Sequence, residues 1–89
     1  MISVSDLVRS LRKALGETQQ QFANRCGLAI ITIARYEAER SPELRELNKF
    51  YRLAIEIGNV ELEKRFHVAI EDKLTKLLGC HKVELLIHL

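Results

Sequence analysis

Eighty-nine residues are enough for one domain around a single modest core, and not for two. An apolar fraction of 47% and a charged fraction of 29% are ordinary for a soluble globular chain, and no run nears the ~20 apolar residues that cross a bilayer. The net charge of +2 names no partner: residues 1–42 carry six Lys or Arg against four acids, and residues 43–89 carry eight of each.

The opening MISVSDLVRS lacks a basic stretch followed by an apolar run, so no signal peptide and a cytoplasmic location are expected, with no membrane contact. Cys26 and Cys80 belong to no C-x-x-C pair and read as reduced residues filling small apolar sites. His67, His81 and His88 share no ligand spacing on one helix, so no metal and no cofactor are expected. The few serines sit at helix starts and the acids are spread over helix faces. With no nucleophile beside a base and no paired carboxylates, the chain is not expected to be an enzyme.

In chain order, Ser3 stands three residues before Asp6 as a capping pair, and Leu7, Leu11 and Leu15 recur every four residues as the apolar face of a first helix. Gly16 stops it. Thr18 with Gln21 forms a fuller capping box ahead of a short second helix, which points Phe22, Ala23 and Cys26 inward and stops at Gly27. Residues 29–33 (Ala-Ile-Ile-Thr-Ile) score as a strand when taken alone. Ser41-Pro42-Glu43 reads as cap, first helical residue and acid, opening a helix that buries Leu44, Leu47, Phe50, Tyr51, Ala54 and Ile55 before Gly58. Asn59 caps a fifth helix with Leu62, Phe66, Ala69, Ile70, Leu74 and Leu77 inward. Gly79 follows, and residues 82–89 form a short apolar tail, strand or helix, with Val83, Leu85, Ile87 and Leu89 alternating.

Residues 18–42, TQQQFANRCGLAIITIARYEAERSP, are the informative stretch. Two helices crossing steeply through a short turn need a small side chain at the approach, supplied by Ala23, and a turn residue tolerant of positive φ, supplied by Gly27. The second helix has to bury one edge, through Ala29, Ile33 and Tyr36, which turns Ile30, Ile31, Ala34 and Arg35 outward. The local β propensity is then overridden by packing.

The spacing of Thr18, Gln19, Ala23, Gly27, Ile33, Tyr36 and Glu37, closed by Pro42, resembles the phage-repressor and Cro-like (XRE-type) helix-turn-helix family over roughly residues 5–58. The resemblance implies an all-α fold: a five-helix, lambda-repressor-like helix-turn-helix domain with an extra C-terminal helix and a short apolar tail, in which residues 1–58 are the DNA-binding part. Residues 59–89 then form a C-terminal helix and tail that extend the same domain. It also implies sequence-specific binding of double-stranded DNA by a transcriptional regulator, a repressor, with Ala29 to Tyr36 as the recognition helix.

Base contact is implied for Ile30, Ile31, Thr32 and Arg35, of which only Arg35 can bond both the O6 and N7 of guanine. Phosphate contact is implied for Gln19, and Arg40 and Arg45 are positioned to add to it. Arg12 and Glu37 match a structural ion pair of the family; Arg9 and Lys13 read as solvated. Ile30 and Ile31 depart from the polar residues frequent in relatives, and isoleucine reads only thymine methyls and groove shape. Ala38-Glu39 replaces the usual Asn-Gly, implying a tighter turn or further helix before Pro42.

The greasy surface of residues 60–89 points to a homodimer interface, consistent with the paired half-sites such proteins bind. The alternative use of the same fold is an antitoxin or protein-interaction adaptor that grips a partner such as a toxin through Ile30 and Ile31.

Overall fold

The computed structural model describes residues 3–78; the expectations for Cys80, His81, His88 and the apolar tail lie outside them. Within them the chain is five α-helices with no strand: α1 (Val4–Ala14), α2 (Gln19–Cys26), α3 (Ile30–Ala38), α4 (Leu44–Glu56) and α5 (Val60–Leu78). No helix among the described residues is long and apolar enough to cross a membrane.

Local chemistry explains most helix starts. The Ser3 hydroxyl accepts from the Asp6 N–H at 3.2 Å. The reciprocal bond of a full box is not made; the Asp6 carboxylate pairs with Arg9 at 3.0 Å instead. At α2 the box is complete: Gln21 N–H donates to Thr18 Oγ1 at 3.2 Å, and Thr18 N–H to Gln21 Oε1 at 2.9 Å. Asn59 Oδ1 accepts from Leu62 N–H at 3.1 Å and opens α5.

The fourth start departs from expectation. Helix α4 begins at Leu44, with Glu43 as its cap in extended conformation (φ −71°, ψ 163°) and no side-chain capping bond. Pro42 is fully buried and its carbonyl accepts from Lys73 Nζ at 2.9 Å. This anchorage holds the segment extended past the expected Ser41 cap, and the helix starts two residues late.

One core joins all five helices. Leu7, Val8 and Leu11 meet Phe22, Ala23 and Cys26, then Ile33 and Tyr36, then Leu47, Phe50 and Ala54, and finally Leu62, Phe66 and Ala69. Phe50 is its hub, with ring centroids 5.7 Å from Phe22, 6.4 Å from Tyr36 and 6.0 Å from Phe66. Helix α5 therefore completes the same core as residues 3–58, and its inward face is already used.

Three apolar residues expected inside are not. Ile55 is exposed because Leu47, Phe50 and Ala54 define the inward line of α4 and Ile55 lies one helical step beyond it. Leu77 is exposed because the last turn of α5 projects past the core. Ala29 also faces solvent, as the cap that precedes α3. Conversely Val8, absent from the four-residue leucine pattern, is wholly buried.

Candidate functional site

Between α2 and α3 the chain turns at Gly27, whose backbone is left-handed (φ 68°, ψ 32°). Leu28 N–H closes back on the Ala23 carbonyl at 2.9 Å. Ala23 has no exposed surface, consistent with the small residue required where the two helices approach. The strand-like residues 30–33 are helical. Each β-branched residue costs at most about 0.7 kcal/mol in a helix, whereas burying Ile33 and Tyr36 contributes about 1.5–3 kcal/mol per large apolar side chain. Packing wins.

Helix α3 was expected over residues 29–36 and instead runs Ile30–Ala38, two residues past Tyr36. Ala29 is the cap (φ −72°, ψ 148°) and not a helical residue, so the helical phase that buries Ile33 does not apply to it. It points to solvent. Along the helix itself the expected partition holds except at Ala34, expected outward and found half-buried. Ile33, Tyr36 and Glu37 are buried, Thr32 and Ala34 are half-buried, and Ile30, Ile31, Arg35 and Ala38 are exposed. The fully exposed residues of α3 are thus apolar except for the Arg35 guanidinium, with the half-buried Thr32 hydroxyl beside them.

The buried end of α3 is clamped. Arg12 Nε donates to Glu37 Oε2 at 2.7 Å and Arg12 Nη2 to Glu37 Oε1 at 3.0 Å, a two-pronged ion pair with Glu37 only 4% exposed. The hydrogen bond to Glu37 holds the Arg12 proton even more tightly than usual, against the opposing effect of burial. Arg9, read from sequence as solvated, belongs to the same cluster. Its Nη2 donates to the Glu37 carbonyl and its Nε stands 3.9 Å from the carboxylate, a cation at the negative end of the helix. The sequence signal for it was present, since Arg9 lies three residues before Arg12 on one helix face.

Gln19 is half-buried at the start of α2 and donates one amide hydrogen to Glu37 Oε1 at 3.3 Å. Its second hydrogen and its carbonyl oxygen stay available, and the bond orients the side chain. Arg35 and Arg40 are exposed, and neither has a carboxylate within ion-pair distance among the described residues. Arg45 is also exposed and lies 3.4 Å from Glu46. Glu46, one of the acids expected on the helix faces, is buried on α4. The Tyr36 phenol is pushed up, first by burial and then by the Glu46 charge.

Two lysines make cross-links to backbone carbonyls: Lys49 Nζ on α4 donates to the Cys26 carbonyl at the end of α2 at 3.2 Å, as Lys73 on α5 does to Pro42 in the loop before α4. Cys26 is buried and its thiol is pushed up to about 11, mainly by desolvation. Among the described residues no three His, Cys, Asp or Glu gather as metal ligands. A cleft of about 410 Å³ lies between α1 and α5, lined among others by Val4, Leu7, Val68 and Ala69, away from the α3 edge. Comparison with protein-family models, with curated proteins and with solved structures found no match to this chain.

Proposed function

We propose that this chain is a sequence-specific double-stranded DNA-binding regulator, a repressor, built as a lambda-repressor-like helix-turn-helix domain with α3 as its recognition helix. The observation that carries the reading is the free edge of α3, Ile30, Ile31 and Arg35, on a helix whose opposite edge is clamped by Arg12 and Glu37. A duplex groove admits one helix edge, and an edge locked at its other side reads bases without rearranging. In this reading Arg35 bonds guanine, Thr32 reaches a base edge, and Ile30 and Ile31 meet apolar features of the groove. Gln19, Arg40 and Arg45 contact phosphates, and Arg12 with Glu37 sets the tilt. The site binds and does not catalyse; it works in the cytoplasm, where its operator lies.

The protein acts as a homodimer on paired half-sites. Val60, Val68, Leu77 and Leu78, all exposed on α5, supply the apolar surface.

A second reading, an antitoxin or adaptor that grips a protein such as a toxin, is favoured by one observation: Ile30 and Ile31 are 43% and 56% exposed side by side. One experiment separates the two. Duplex binding is measured against salt for the wild type and Arg35→Ala. A DNA reader shows a steep salt slope and loses sequence preference in the variant. Absence of both overturns the DNA reading, and loss of a protein partner on Ile31→Asp then supports the second.

A further inference from the structure

We propose that the free edge of α3 recognises C5-methyl groups, so that each half-site carries neighbouring thymine or 5-methylcytosine bases beside a guanine. The proposal rests on α3 being the recognition helix and adds what that helix reads. Ile30, Ile31 and Ala38 are exposed and Ala34 half-exposed, and none of their side chains holds a donor or an acceptor.

An apolar side chain pressed on a base edge strips water from that edge and returns no hydrogen bond, which costs free energy wherever the edge is polar. In the major groove guanine offers only acceptors, adenine an acceptor and a donor, and cytosine a donor. The thymine methyl is the one feature that gains from apolar contact, and 5-methylcytosine presents the same group at the same place. Two adjacent exposed isoleucines therefore select for methyls by elimination.

Arg35 follows Ile31 by four residues, about 6 Å along the axis, or roughly two base pairs. It is the one side chain on this edge with paired donors, which suit guanine O6 and N7. Arg35 and Arg40, exposed and free of carboxylates among the described residues, give this apolar edge the positive flank that a polyanion needs.

The test starts from a duplex selected from a random pool by the full chain. Each thymine is then replaced singly by deoxyuridine, which removes only the methyl, and affinity is read by fluorescence anisotropy at several salt concentrations. At the positions read by Ile30 and Ile31 each replacement weakens binding about fourfold, the worth of one buried methyl. The salt slope stays constant because no phosphate contact is lost. A cytosine placed there binds poorly and recovers when methylated at C5.

In Ile31→Ala, an exposed change checked for intact helicity, the thymine–deoxyuridine difference disappears at one position and survives at the other. Salt-dependent duplex binding with no deoxyuridine effect at any position overturns this inference alone. A chain that selects no duplex overturns it together with the function it rests on.

Discussion

Removing the Glu37 carboxylate is the sharpest test of how this fold holds α3. In the intact protein it accepts two bonds from Arg12, at 2.7 and 3.0 Å, and one from Gln19 at 3.3 Å, while 4% exposed. Breaking a buried pair by deleting one partner costs roughly 3–5 kcal/mol, because the other charge stays behind uncompensated. Here the Arg12 side chain keeps 17% exposure and a bond from Nη1 to the Glu17 carbonyl at 3.0 Å, which relieves part of that cost.

The expected loss for Glu37→Met is therefore about 3 kcal/mol, the low end of that range, and at about 4–8 °C per kcal/mol it lowers Tm by roughly 12–24 °C. Arg12→Met alone also destabilises, by stranding Glu37. The double replacement recovers most of the loss, since two apolar side chains of similar length need no partner. Urea unfolding followed by circular dichroism of all four proteins yields the coupling energy, expected at about 3 kcal/mol or more and of compensating sign, well outside the ~0.5 kcal/mol within which independent sites add. Additive single effects, or singles costing under about 1 kcal/mol, would refute the clamp.

Two further expectations follow from the core and from α5. In a Cys80→Ser chain, Cys26 resists iodoacetamide at pH 8 until the protein is unfolded, because it is buried and its thiol is pushed up to about 11. Since the folded state keeps that proton above the ordinary value of 9.0 while the unfolded chain releases it, this thiol erodes stability as pH rises from about 9 to about 11. Labelling at the rate of a free thiol, or a Cys26→Ala chain with an unchanged alkaline stability profile, would contradict this. For the dimer, the full-length wild type sediments at twice the chain mass at micromolar concentration, and Val68→Glu, altering an exposed α5 residue, sediments as a monomer with unchanged helicity. A monomeric wild type removes the dimer.

The starts of α1, α2 and α5 were legible at Ser3, Thr18 and Asn59 because a cap is a contact between residues three apart and needs nothing else. The stops at Gly16, Gly27 and Gly58, all with positive φ, were legible for the same local reason. The inward residues of α2 and, Ala34 apart, the partition along α3 from Ile30 to Glu37 came from helical period and the spacing of the motif.

Other features depend on who sits opposite. Pro42 delays α4 because α5 reaches it through Lys73, thirty-one residues away in sequence. Ala29 is a cap and so falls outside the helical phase assigned to it. Arg9 and Gln19 converge on Glu37 only because α1, α2 and α3 meet there, and Glu46 is buried on α4 by its neighbours in the fold. Ile55 and Leu77 have the right residue type and period, but the core does not extend far enough to cover them. Residue type and spacing determined the helices and the edge each offers. Which edges are covered was decided by packing, because burial is a property of pairs of surfaces and no single segment contains both.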